Sequence, residues 1–208
     1  MSILVLAGSA ACALAAAAFA HRMLDHPISG KETAAILIAA VILGASVLKM
    51  SKDLPPGTGW IRLFSLFSAF VCAAVFDFYT HRIPNVIPLF LIAVFAVCLL
   101  IDTAAGTADL LSALAGGLGA GMITASFLTV CRFLARGGLG YGDVKLMGAA
   151  AMTLGLRGTV FLLVFAEVFA FIYAVQAILR KKMNLKGSIP FAPFFLLGFL
   201  AAAATGMF

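Results

Sequence analysis

Residues 138–155 read GLGYGDVKLMGAAAMTLG. Glycines at 138, 140 and 142 lead to a carboxylate, Asp143, which opens directly into an apolar run. That run decides the fold class. With comparable segments on either side, it reads as a helix for a lipid bilayer, where a spanning segment must satisfy its own backbone. A charge at the mouth of such a segment is costly, so Asp143 is the residue that needs explaining.

The rest of the chain has the same character. Of its 208 residues 64% are hydrophobic and 11% charged, too little polar surface to keep a globule of this size in water. The expected fold is all-α, a polytopic transmembrane bundle. At roughly 17 to 25 residues per crossing, about eight spans fall near 2–20, 33–48, 63–79, 86–101, 110–131, 144–156, 159–179 and 189–206. Residues 1–62 then form an N-terminal hairpin and loop, and residues 63–208 a six-helix core. The first span ends AAAAFA, similar to a signal-peptide cleavage site, but no basic residue precedes it and it is expected to stay as a helix. Cys12, Cys72, Cys98 and Cys131 all lie in apolar runs without a CxxC pair, which points to packing and not to a disulfide framework or a zinc site.

The 14 Lys and Arg outnumber the 8 Asp and Glu. They are scattered singly between apolar segments, so they set topology and do not form a nucleic-acid stripe. With the N-terminus outside, the inner loops hold Arg22, Lys31, Arg82, Arg132, Arg136, Lys145, Arg180, Lys181, Lys182 and Lys186. The outer loops hold Lys49, Lys52, Arg62 and Arg157. The loops near 80–85 and 132–143 therefore face the cytoplasm, with the cluster at 49–62 pulling locally the other way.

Asp77 closes the third span in AAVFDFYTHRIPN, and two crossings separate it from Asp143. An even number of passes returns both acids to one membrane face. The sixth segment has about 13 residues before Arg157, roughly 20 Å of helix against a hydrocarbon core of about 30 Å. A helix that begins below the surface would place Asp143 within the membrane, with GLGYG as irregular backbone lining a wet cavity. Gly140 and Gly142 would there supply positive φ and close backbone approach, as to a peptide strand. Plainer readings stand beside this one: Asp143 caps its helix, and Asp77 pairs with His81 four residues on.

Two carboxylates a few ångströms apart share a proton, so one can activate water while the other protonates a carbonyl oxygen. No Ser/His/Asp set or HExxH offers a rival hydrolytic mechanism. Without further oxygen-rich loop residues the pair does not suggest a metal site, and the 19 phenylalanines imply no cofactor. Two other readings fit the same acids: a proton-coupled transporter with Asp77, Asp143 and Glu167 as relay, or a non-catalytic subunit of a pilus machine. Glu167, in mid-span, is expected to face the bundle interior or water. Gly117 and Gly121 form a small-xxx-small pair suited to close helix packing.

DFYTHRIPN, then GYGDVKLMGAAAMTLG, then GSIPFAPFFLLG near the end, resemble the type IV prepilin peptidases, membrane aspartic proteases of the GxGD class. The likeness covers roughly residues 63–206. It implies a catalytic pair of Asp77 and Asp143, with Gly140, Gly142, Lys145, Pro84, Asn85, Pro190 and Pro193 shaping the site or binding substrate. It further implies no cofactor or metal, a location in the cytoplasmic (inner) membrane, and pilin-like precursors as substrates. These carry a short basic leader, cut at the cytoplasmic face just before an apolar helix. Larger members carry a cysteine-containing cytoplasmic segment associated with N-methylation. The early loop HRMLDHPISGKE has no cysteine, so a peptidase-only form is expected, like those serving Tad/Flp-type pili. Partners beyond substrate and lipid, and the oligomeric state, are not legible.

Overall fold

The computed structural model describes residues 58–134, 139–180 and 190–206, with Ile38. The two spans expected near 2–20 and 33–48, and the N-terminal hairpin they would form, lie outside these apart from Ile38. Every regular element described is a helix: α1 (Gly59–Thr80), α2 (Val86–Ala104), α3 (Leu110–Leu134), α4 (Tyr141–Leu179) and α5 (Ala192–Thr205). The first four are long and apolar enough to cross a membrane, while α5 has 14 residues.

Of the expected six-helix core and total of eight spans, the described residues show five helical elements, four of them long and apolar enough to cross a membrane. The segments at 144–156 and 159–179 are two helices that follow each other across a kink without a loop, in one run of residues 141–179. At 39 residues this run would measure nearly 60 Å if straight, about twice the hydrocarbon core. It is instead broken at Gly155, where φ 71° and ψ 173° are not helical and are open essentially to glycine alone. The half ahead of the break, 141–154, measures roughly 20 Å, as short as the sequence suggested.

Local chemistry sets the other boundaries. His81 takes the left-handed conformation and its N–H bonds the Asp77 carbonyl, ending α1. Pro84 then disfavours helix at Ile83. Asp109 Oδ2 accepts the Ser112 N–H at 2.9 Å, capping α3. Gly206 closes α5 with φ 70°.

Lipid offers no hydrophobic drive between helices, so the bundle is held by close packing and internal polar bonds. Phe67 and Phe70 of α1 and Phe195 and Phe199 of α5 are fully buried, with the Phe70 and Phe199 ring centroids 5.4 Å apart. A Cβ at Gly198 would lie 2.5 Å from the Leu162 carbonyl oxygen, so α5 meets the second half of α4 backbone to backbone. The expected packing at Gly117 and Gly121 is present. A Cβ at Gly121 would lie 3.0 Å from the Gly148 carbonyl oxygen and 2.7 Å from Met152 Cγ, which fastens α3 to the first half of α4. Among the described residues Cys72, Cys98 and Cys131 form no disulfide. Many large apolar side chains point outward, among them Phe133, Leu111 and Leu179.

α1 and α2 form an antiparallel hairpin closed at its open end by a polar knot. Asp102 accepts the Thr58 N–H at 2.9 Å, the Thr58 hydroxyl at 2.7 Å and Arg62 Nη2 at 2.7 Å. Arg62, counted above as an outer-loop charge, is thus consumed by an internal ion pair.

Candidate active site

At the turn end of that hairpin, Asp77 in the last turn of α1 and Asp143 in the first turn of α4 line one cavity of about 310 Å³. Each residue is 7% exposed, and the carboxyls are near enough to repel when both are charged. The walls come from His81, Arg82, Ile83 and Asn85 on one side and Gly140, Tyr141, Gly142 and Lys145 on the other.

Each acid is held by a different device. Asp77 Oδ2 accepts the Ala192 N–H at 3.0 Å across 115 positions of sequence. The first N–H groups of a helix have no partner within it, and α5 presents one of its own to Asp77 with the positive end of its dipole. Pro190 and Pro193 flank this donor and have no N–H themselves. The Asp77 side chain is therefore fixed by α5, and the expected pairing with His81 is replaced by the backbone bond that ends α1.

Asp143 Oδ2 accepts the Gly140 N–H at 3.2 Å. This is the acidic half of a capping box; the other half is missing because glycine has no side chain. Capping thus engages one oxygen, and Asp143 Oδ1, buried, finds no hydrogen-bond partner among the described residues. A buried orphan acceptor is costly and calls for an explanation.

The expected role of the glycines is corrected in one respect. Gly140 has φ −71°, and Gly142 is already helical. Neither is among the positive-φ glycines of the described residues, which are Gly106, Gly155 and Gly206. What the two positions require is room. A Cβ at Gly140 would sit 3.0 Å from Asp143 Oδ2, and one at Gly142 would sit 3.0 Å from Ile83 Cβ. The close neighbour at Gly142 is the chain's own loop after α1, which brings the Asp77 and Asp143 segments together.

Lys145 Nζ donates to Asn85 Oδ1 at 3.1 Å, joining the α1–α2 turn to the start of α4. Of the site residues expected from sequence, Asp77, Asn85, Gly140, Gly142, Asp143 and Lys145 line the cavity. Pro84, Pro190 and Pro193 are not among its lining residues. Glu167, expected to face the bundle interior or water, is exposed on α4 and does not line this cavity.

Sequence reasoning missed two supports. The Ala192 N–H carries no side-chain signature. Arg132 donates to the Leu139 carbonyl and stacks over Tyr141, 4.1 Å from the ring centroid, so the end of α3 steadies the backbone just before Asp143. The spacing of an Arg nine residues ahead of an aromatic gives no advance sign of this. Among the described residues no three His, Cys, Asp or Glu side chains gather as a metal would need.

A family model for the type IV leader peptidase family matches residues 64–175. The chain is also similar to a prepilin leader peptidase/N-methyltransferase of Bacillus subtilis (strain 168), 29% identical over 184 residues that make up 87% of this chain and 68% of that protein. No solved structure matches. The matched residues take in Asp77, Asp143 and the glycines between which the cavity is built, and on that match the chain belongs to the type IV leader peptidase family.

Proposed function

We propose that this protein is a membrane-embedded aspartic endopeptidase that removes the short basic leader of pilin-like precursors, with Asp77 and Asp143 as the catalytic pair. The single observation that carries the reading is the meeting of two buried carboxyls in one cavity, one of them with an oxygen that nothing else engages. Membership of a leader-peptidase family supports the peptidase class, and the name of the Bacillus subtilis relative supports the precursor class.

In the proposed reaction a water between the acids adds to the scissile carbonyl carbon. Asp77, anchored by Ala192, takes the water proton. Asp143 gives a proton from Oδ1 to the carbonyl oxygen. Collapse of the resulting diol returns that proton to Asp143 and sends the one on Asp77 to the leaving nitrogen, so the pair ends as it began. General acid and base assistance of this kind is worth about 10² to 10⁴ in rate for each group. Lys145 and Asn85 orient the peptide. The loop charges counted above put this end of the bundle on the cytoplasmic side, where a basic leader would reach it.

Asp77→Asn and Asp143→Asn are each expected to abolish cleavage of a co-expressed pilin-like precursor while the amount of protein in the membrane holds. Cleavage retained by either variant would reject the dyad. The transporter reading loses its third carboxylate, because Glu167 lies outside the cavity.

A further inference from the structure

A second and larger hollow, about 570 Å³, adjoins the catalytic cavity. It lies in the wedge where α2 and α3, which touch each other little, both rest on the first half of α4. We propose that this groove docks the apolar helix that follows the scissile bond of the substrate, an inference that rests on the proteolytic reading above.

Continuity is the first reason. Asn85 and Lys145 line both hollows and are bonded to each other. A chain lying across the two carboxyls and continuing past this pair enters the groove. The second reason is direction. From α2 the groove takes Asn85, Leu89 and Ile92, and from α4 Lys145, Gly148 and Met152. Each set is one helix face, extending about two turns, roughly 10 Å, from the catalytic level into the bundle. Polar groups stand only at the catalytic end, and beyond them the lining is apolar.

The third reason is the surface. Gly121, Ala125, Gly148 and Ala149 form the floor where α3 meets α4, and being small they fill little of the wedge above them. Leu89 and Met122, by contrast, are 62% and 64% exposed and stand as its open walls among the described residues. The polar pair suits the start of a guest helix. The first N–H groups there lack partners, and Asn85 Oδ1 has a second lone pair to accept one. The ammonium of Lys145 has donors left for carbonyls of the extended segment just before the helix.

The test compares two precursors with the same basic leader ending in glycine: one continues into a 20-residue apolar helix and the other stops four residues after the glycine. Leu89→Trp and Met122→Trp fill the groove from opposite walls. Each is expected to lower the preference for the long precursor, as the ratio of the two kcat/KM values, about tenfold and mainly through KM. Val160→Trp, exposed on the second half of α4, leaves that ratio alone. An unchanged ratio in both groove variants overturns the inference and leaves the proteolytic reading standing. Cleavage of neither precursor by the unaltered protein takes down the reading and the inference together. A photoreactive benzoylphenylalanine at Met122, in the Asp143→Asn background, is expected to attach to precursor residues beyond the glycine. Attachment to phospholipid, or to residues 1–57 of the chain itself, overturns the inference.

Discussion

The two ends of the α1–α2 hairpin hold aspartates that are equally buried, at 7% exposure, and oppositely treated. At one end Asp102 receives two bonds from Thr58 and one from Arg62, and its charge is matched. At the other, Asp77 receives one backbone N–H, Asp143 receives another, and one Asp143 oxygen is left over. Burial alone therefore does not mark a working acid. A carboxylate with both oxygens bonded and its charge matched fastens helices, because most of its bonding capacity is spent within the fold. An unsaturated one beside a second acid and a cavity retains capacity for a substrate.

That contrast predicts a crossover. The largest effect belongs to Asp143→Asn and Asp77→Asn, each expected to cut cleavage by about a thousandfold or more with an unchanged melting temperature. Equal losses of stability and activity would erase the distinction between the two ends. Asp102→Asn is expected to do the reverse. Breaking a largely buried ion pair costs on the order of 3 kcal/mol, so the variant should melt early while its folded fraction retains its specific activity.

Gly198→Ala is expected to affect both ends of the comparison at once. Its Cβ meets the Leu162 carbonyl and the Ala166 backbone N, and overpacking of this kind costs about 1 to 3 kcal/mol. Displacing α5 also moves the Ala192 N–H from Asp77, so activity should fall by more than the loss of folded protein explains, by about tenfold. Thermal melts and cleavage rates on one preparation separate the two terms.

The smallest effect concerns Asp109, an exposed cap. The Ser112 N–H holds its carboxyl below the usual carboxylate range. A group whose acidity is increased by folding stabilises fully above its unfolded pKa of about 3.9 and loses that contribution as pH falls through its folded value. Asp109→Ala should therefore lower the melting temperature slightly at pH 7, and the difference from the unaltered protein should vanish in acid below that range. Cleavage at neutral pH should not change.

Much of the site is written locally. Asp143 follows Gly140 and Gly142 within one turn, and Asp77 precedes Pro84 and Asn85 in a single stretch, so spacing and the parity of crossings suffice to put both acids at one membrane face. The glycines illustrate the limit. Their presence is legible, but their reason is not, since Gly142 is small to admit Ile83 and not to reach positive φ. Asp102 went unnoticed because nothing in its own neighbourhood announces Thr58 and Arg62, some forty residues away. For Glu167 the cost of a charge in lipid left two placements open, the bundle interior or water, and which face it takes is set by how α4 packs on α5.

Composition and hydropathy by themselves determined the all-helical class, because long continuous apolar runs, unlike the alternating strands of a barrel, satisfy their backbone in lipid as helices. They also determined the pair of acids worth attention. The tertiary structure alone decided that the sixth and seventh apolar segments are two helices joined at a kink at Gly155, that the start of α5 holds Asp77, and that one oxygen of Asp143 is left without a partner among the described residues. These depend on which backbone groups from distant stretches come within 3 Å of each other, and no one-dimensional pattern encodes that distance.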